Sequence, residues 1–149
     1  MIVVERTDPR HPGAVALLQQ SHALMQSLFP PEDNFYLDIN DLAADHIHFF
    51  TARQGDSILG TGAVAIKDGY GEIKSMFVDQ AARGTGVADA LMRQLEDAAR
   101  ENGVTLLKLE TGNALHAAHK LYRRHGFTDC GPFGDYVAAK SSIFMEKKL

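Results

Sequence analysis

A chain of 149 residues is long enough for one domain with a buried core. The 15 basic residues against 19 acidic ones leave a net charge of -4, which argues against binding to a nucleic-acid backbone. The single cysteine, Cys130, excludes an internal disulfide, and no apolar run approaches the roughly 18 residues of a membrane span. We therefore expect one cytoplasmic domain over residues 1–149, without nucleic-acid or membrane partners.

The first half of the chain predicts one strand, two helices and a hairpin. Pro12 opens a helix in which apolar residues recur at spacings of three and four, and Pro30-Pro31 ends it. Asp38 is a plausible cap for a second, shorter helix. Gly55-Asp56-Ser57 separates two strands and predicts a hairpin turn. The predicted elements are a strand at 2–5, helices at 12–29 and 38–45, and strands at 47–53 and 58–67.

The second half alternates strands with helices. Its clearest helix starts at Val87, carries an apolar stripe that includes Leu91 and Leu95, and stops at Asn102-Gly103. The predicted elements are strands at 72–78, 105–110 and 143–147 and helices at 87–101 and 114–125. This order predicts a mixed α/β domain with an antiparallel part built from hairpins and crossover units near the end.

The loop Arg83-Gly84-Thr85-Gly86 joins a predicted strand to the clearest helix. Several amide N–H groups at a helix start lack intrahelical partners, and the positive end of the helix dipole adds to them, so the loop can bind an anion. Gly84 and Gly86 allow a phosphate to approach the backbone, and Arg83 can add a forked positive charge.

Four interpretations of this loop remain open from its residues alone. A nucleotide-triphosphate loop requires Gly-Lys-Ser/Thr, whereas this loop continues Gly86-Val87-Ala88. A dinucleotide fingerprint requires three glycines, and only two are present. The pyrophosphate of coenzyme A is the third interpretation, and a loop that merely turns the chain is the fourth.

Two motifs resemble the GNAT family, the general-control-type N-acetyltransferases. Arg83, Gly86 and Ala88 resemble its Arg-x-x-Gly-x-Ala signature, and the segment Leu121 to Phe127 resembles its Leu-Tyr-x-x-x-Gly-Phe segment. Further segments, at 71–76, 109–112 and 131–136, resemble a subgroup of small bacterial YsnE-like proteins. The resemblance implies an acyl-CoA N-acyltransferase fold, a twisted, splayed, mostly antiparallel sheet flanked by helices.

The resemblance also implies acetyl-CoA as co-substrate, held between the strand ending at Val78 and the strand beginning near Thr105. The asparagine that the family carries seven residues before the helix tyrosine is Leu115 here, so Asn113 is the nearest substitute. The implied contacts to the cofactor are Met76, Phe77, Val78, Arg83, Gly84, Thr85, Gly86, Val87, Ala88, Asn113 and His119.

The chemistry implied by the resemblance needs a base, an acid and an oxyanion donor. Glu72 resembles the position at which several members carry a glutamate base, which could act through a water. Tyr122 corresponds to the tyrosine that protonates or stabilises the departing thiolate. The backbone around Phe77 and Val78 corresponds to the donor for the oxyanion of the tetrahedral intermediate. The alternatives are a solvated carboxylate for Glu72 and a core aromatic for Tyr122.

The acceptor is expected to be a small polar primary amine, amino-acid-like, with Lys74 able to hold its carboxylate. The candidate residues on this side are Glu32, Tyr36, Lys74 and Tyr136. Two other functions compete: a catalytically silent module that senses acyl-CoA, and an acetyltransferase for protein or peptide amines. The resemblance also allows a homodimer, although the sequence carries no interface signature. The seven histidines complete no known metal-binding pattern, so no metal is expected.

Overall fold

The computed structural model describes all residues, 1–149, and contains seven strands and three helices. The strands are β1 (Val3–Arg6), β2 (Ile47–Gln54), β3 (Ser57–Ile66), β4 (Gly71–Val78), β5 (Leu106–Gly112), β6 (Thr128–Cys130) and β7 (Ser142–Lys148). The helices are α1 (Pro12–Leu28), α2 (Val87–Glu101) and α3 (His116–Arg124). Single 3-10 turns lie at Pro31–Asp33, Asp41–Ala43 and Gln80–Ala82.

The strands form one sheet in the order β1-β2-β3-β4-β5-β7-β6, which confirms the predicted mixed α/β fold. Every neighbouring pair is antiparallel except β4 and β5, which run parallel. These two strands pair only at their first residues, Gly71 with Leu107 and Glu72 with Lys108. Beyond Glu72 they diverge, so the sheet is open at their carboxyl ends.

The main core lies between α2 and the sheet, as the apolar stripe of α2 predicts. Leu91, Met92 and Leu95 of this helix are fully buried. The helix approaches β3 closely at Gly60, where an added Cβ would lie 2.8 Å from Val87 Cγ1 and 3.2 Å from the Phe77 carbonyl oxygen. A side chain at Gly60 would therefore push α2 away from the sheet.

A smaller core lies on the opposite face of the sheet, beneath α1. Ala14 and Leu18 of this helix pack with Leu42 and with Phe49 and Ala63 of the sheet. At its carboxyl end, the Phe29 ring lies directly against the backbone of Gly112, at the end of β5. The absence of a side chain at Gly112 therefore lets the end of α1 reach the open part of the sheet.

Two local predictions differ from the structure. The helix predicted at 38–45 is a single 3-10 turn, Asp41–Ala43, although the Asp38 side chain does cap it by accepting from the Asp41 N–H at 2.8 Å. Asp and Asn side chains compete for the backbone in this segment, which favours turns over helix. The structure also adds β6, whose three residues are too few and too polar to show a strand pattern.

None of the helices combines the length and the apolar character needed to cross a lipid bilayer.

The close packing at Gly60 yields a test of the fold. We expect Gly60→Ala to lower the free energy of unfolding by about 1–3 kcal/mol, because the new methyl group overlaps Val87 and the backbone of β4. Gly131→Ala is the matched control, since a Cβ there meets no atom within 4 Å. Urea unfolding measures both. Equal stability of the two variants would contradict the packing argument.

Candidate active site

A cleft of about 890 Å³ opens where β4 and β5 diverge. We call it the β4–β5 cleft. The end of β4 forms one wall, the start of α3 forms the other, and α1 covers a third side with Leu24, Met25 and Leu28. The loop after β4 and the first turn of α2 close its end. The cleft therefore lies beside the carboxyl end of β4, the strand end next to which the sequence predicts the acyl-CoA site.

A bulge in β4 exposes backbone to this cleft. The register with β3 shifts between Thr61 and Ala63, and Ser75 opposite this point has a positive φ of 56°. The Thr61 hydroxyl donates to the Ser75 carbonyl at 2.8 Å and holds the bulge in place. Since β5 has already diverged, the backbone from Ser75 to Val78 lacks β5 partners and its polar groups on that side are available to a ligand.

The glycine loop forms an anion site at the start of α2. Gly84 and Gly86 have φ values of 77° and 89°, which residues with side chains rarely adopt. The first bond within the helix runs from the Ala90 N–H to the Gly86 carbonyl, so the preceding N–H groups remain free of helical partners. A Cβ on either glycine would meet no atom within 4 Å, so there is open space beside the loop. These features fit the pyrophosphate of acetyl-CoA.

Tyr122 lies on α3, lines the β4–β5 cleft and is 6% exposed. Burial, with a smaller contribution from the nearby Glu110 carboxyl, raises the pKa of the Tyr122 phenol far above its ordinary value. The phenol is therefore protonated at every physiological pH and can donate a hydrogen bond into the cleft.

Three residues expected at the cofactor have other positions. Asn113 donates through its side chain to the Lys140 carbonyl at 3.1 Å and is exposed. The His119 ring lies 2.8 Å from the Gly112 carbonyl oxygen, and neither residue lines the cleft. The Thr85 hydroxyl donates to the Ala82 carbonyl and stabilises the loop from within. The other expected contacts, Met76, Phe77, Val78, Arg83, Gly84, Gly86, Val87 and Ala88, all line the cleft.

Leu115 and His116, rather than Asn113 and His119, face the β4–β5 cleft. The helix starts only at His116, two residues later than predicted, and this shift decides which side chains of its first turn reach the cleft. The sequence could not show the difference, because the position of a helix start is uncertain by one or two residues.

A second cleft, of about 680 Å³, lies beside the first part of β4. We call it the aromatic cleft, because Phe35, Tyr36, Tyr70 and Tyr136 line it. Glu72 and Lys74 also line it, so β4 contributes to both clefts along its length. Tyr36, Lys74 and Tyr136 are thus brought together as predicted. Glu32 is exposed on the turn after α1 and lines neither cleft.

Glu72, Lys74 and Tyr136 form one network at the inner side of the aromatic cleft. The Tyr136 hydroxyl donates to Glu72 Oε2 at 2.6 Å, and Lys74 Nζ lies 3.4 Å from the same oxygen. Lys74 also donates to the Tyr136 hydroxyl at 2.9 Å and to the Phe35 carbonyl at 3.0 Å. Two of these contacts from Lys74 are hydrogen bonds, and the contact with Glu72 is an ion pair. That Lys74 holds a substrate carboxylate stays a prediction, and in this arrangement Lys74 would have to exchange one of its protein partners to do so.

Glu110 on β5 is a site residue that the sequence did not single out. It interacts electrostatically with Tyr122 of the β4–β5 cleft and with Lys74 and Glu72 of the aromatic cleft, although its own side chain lines neither cleft. Burial raises the pKa of the Glu110 carboxyl, while a hydrogen bond from the Ser142 hydroxyl at 2.9 Å opposes the shift. The only sequence signal for Glu110 was its place in the family-like segment at 109–112. Its surroundings depend on the divergence of β4 and β5, which is a tertiary feature.

The family follows from comparison with known proteins. The model of the acetyltransferase (GNAT) family matches residues 15–127. The chain belongs to this family. It is 40% identical over 150 residues to the IAA acetyltransferase of Azospirillum brasilense, covering 99% of this chain and 98% of that relative. It is also 36% identical to the uncharacterized N-acetyltransferase YsnE of Bacillus subtilis, over 91% of each chain.

Solved structures support the same fold. A Klebsiella pneumoniae protein, described as a candidate acyl-CoA N-acyltransferase, superposes with a TM-score of 0.84 at 29% identity, over 100% of this chain and 98% of its own. The PaiA N-acetyltransferase of Thermoplasma acidophilum, solved with coenzyme A, superposes with a TM-score of 0.76 at 13% identity, over 100% and 99% of the two chains. As a member of the GNAT acetyltransferase family, this chain uses acetyl-CoA as its acyl donor. It contains no group of three or more His, Cys, Asp or Glu side chains placed to hold a metal ion.

Arg83 provides a test of the phosphate site. We expect Arg83→Ala to raise the Kd of coenzyme A about tenfold, because a charge-assisted bond to phosphate is lost. Arg93→Ala removes an exposed arginine of α2, the helix that follows the loop, outside the cleft and is the matched control. Titration calorimetry with coenzyme A measures both affinities. If the two variants bind coenzyme A equally well, Arg83 does not contact the phosphates.

Proposed function

We propose that this GNAT acetyltransferase transfers the acetyl group of acetyl-CoA to the primary amine of a small molecule. The proposal rests on the observation that one strand, β4, lines both clefts. Met76 lines the β4–β5 cleft and Lys74 lines the aromatic cleft, only two residues earlier. Such a spacing corresponds to about 7 Å along a strand, so an acceptor in one cleft can reach a thioester in the other.

The acceptor amine must lose a proton before it attacks. With a lysine-like pKa of about 10.4, only roughly one amine in 2,500 is neutral at pH 7. Glu72 lies at the inner side of the aromatic cleft, is 6% exposed and can attract the incoming ammonium. One of its oxygens already accepts from Tyr136. Glu110 is the better proton acceptor, because burial raises its pKa toward neutrality.

The nitrogen lone pair attacks the thioester carbonyl directly, giving a tetrahedral intermediate without a covalent bond to the enzyme. Backbone N–H groups of the β4 segment from Ser75 to Val78 are the donors available to its oxyanion. When the carbon–sulfur bond breaks, Tyr122 donates its phenolic proton toward the departing thiolate. The attacking nitrogen loses its second proton as the amide forms, and solvent returns a proton to the Tyr122 oxygen. The proton taken by Glu110 also leaves to solvent, so each group returns to its starting state and one proton is released overall.

The first test of this mechanism concerns the Tyr122 hydroxyl as proton donor. We expect Tyr122→Phe to lower kcat about 100-fold, because the thiolate then departs without a proton donor. The Kd of acetyl-CoA, measured by calorimetry without acceptor, should remain near that of the wild type, since the ring still fills its place. Release of free thiol with a panel of amines measures the rate. Unchanged kcat would mean that Tyr122 only packs.

The pH profiles of two variants distinguish the roles of the Glu72 and Glu110 carboxylates. Glu110 must be ionised to accept a proton, so kcat/KM of the wild type rises as pH increases through the raised pKa of Glu110. We expect Glu110→Gln to lose that rise and to lower kcat by about 100-fold or more. Glu72→Gln should instead raise KM for the amine while keeping the pH profile.

The reverse pattern would assign the base to Glu72, as the family resemblance implies. A chain that binds acetyl-CoA but releases no thiol with any amine would be a sensor module rather than an enzyme. Preference for peptide N-termini over small amines would favour the protein-acetylating alternative.

A further inference from the structure

Aromatic and aliphatic side chains form about half of the lining of the aromatic cleft, beside charged and polar ones. Four aromatic side chains line it, together with aliphatic ones such as Leu37 and Ile47. Aromatic rings bury large areas of a bound ligand and pair best with another ring, either offset or edge to face. A small polar amino acid would leave most of this surface without a partner.

The rings are held in place before any ligand arrives. Tyr136 packs edge-on against Phe35 at 5.5 Å, Phe133 at 5.0 Å and Phe144 at 5.6 Å between ring centroids. Tyr70 packs against Phe133 at 5.6 Å, and Tyr36 stacks on the His22 ring at 4.0 Å. A ligand therefore meets a preformed aromatic surface and loses little affinity to ordering it.

The lining of this cleft carries three carboxylates, Asp41, Glu72 and Asp135, against the two ammonium groups of Lys67 and Lys74. Glu72 is the buried carboxylate, and burial together with the Glu72 charge raises the pKa of the Tyr70 hydroxyl. A carboxylate in a desolvated position attracts an ammonium group, and the faces of the surrounding rings attract cations as well. The polar end of the ligand is thus expected to be an amine directed at Glu72.

No cation of the inner cleft remains available for a ligand carboxylate. The ammonium of Lys74 has its three partners within the protein: Phe35, Tyr136 and Glu72. Lys67 also lines the cleft, but it is exposed beyond the end of β3, whereas Glu72 is buried. An α-carboxylate, which is separated from its amine by one carbon, would be drawn into the neighbourhood of Glu72 and Glu110 and repelled.

We infer that the acceptor is a primary amine joined to an aromatic ring by a short alkyl chain, without an α-carboxylate. This inference rests on the proposed function and names its substrate class. The ring lies against Tyr36, Tyr70 and Tyr136, and the amine points toward Glu72 and the thioester beyond it. Recognition thus depends on ring stacking and on one charge.

The test compares matched amines with the full chain and acetyl-CoA, with free thiol as the readout. Phenylalanine differs from 2-phenylethylamine only by its carboxylate. Ethanolamine differs from 2-phenylethylamine by lacking the ring. We expect kcat/KM for 2-phenylethylamine to exceed that for each of the other two at least about tenfold, the scale of discrimination that one apolar contact provides. A preference for phenylalanine or ethanolamine would overturn the inference and leave the proposed function intact.

A pair of variants at Tyr70 separates ring recognition from a general loss of activity. Tyr70→Ser removes the ring, and Tyr70→Phe removes only the hydroxyl. The readout is the ratio of kcat/KM for 2-phenylethylamine to that for ethanolamine, which a folding defect does not change. We expect the ratio to fall at least about fivefold in Tyr70→Ser and to persist in Tyr70→Phe. An equal ratio in both variants and the wild type would overturn the inference.

Failure of the proposed function and failure of the inferred substrate class give different results. If none of the amines of the panel stimulates thiol release, the proposed function itself fails, and the substrate class falls with it. If amines are acetylated in another order of preference, only the substrate class is wrong.

Discussion

The parallel pairing of β4 with β5 is the constraint on which the site depends. Only Gly71 and Glu72 of β4 pair with β5; the strands then separate, and the bulge at Ser75 follows in β4. The separation leaves backbone groups without sheet partners in the middle of a folded domain. A ligand can satisfy them, and for this reason we propose that acyl transfer takes place where the two strands separate.

Packing on both faces of the sheet maintains the opening between β4 and β5. On one face, α2 lies so close to β3 at Gly60 that its first turn is fixed relative to the end of β4. On the other face, the Phe29 ring rests on Gly112 and keeps the end of α1 beside the end of β5. Both contacts require a glycine for lack of space, not for a special backbone conformation.

The network of Glu72, Lys74 and Tyr136 links the sheet to its two acceptor-side loops. Lys74 binds the carbonyl of Phe35, which follows α1, and the hydroxyl of Tyr136, which precedes β7. One buried ion pair thus positions two segments that are a hundred residues apart in the chain. Buried charges of this kind must be paired, since an unpaired partner would be costly. The shape of the aromatic cleft therefore depends on charge as much as on packing.

The sequence by itself determined most of the helices and strands, because periodicity and capping are local properties, and the resemblance of two motifs indicated the family. Three residues that it assigned to the acceptor side, Tyr36, Lys74 and Tyr136, line one cleft in the structure. The sequence did not identify Glu110, and it misplaced His119, because their surroundings depend on where β4 and β5 part and on where α3 begins. Only the tertiary structure decided that Lys74 is engaged with protein partners, since Phe35 and Tyr136 come from distant segments of the chain.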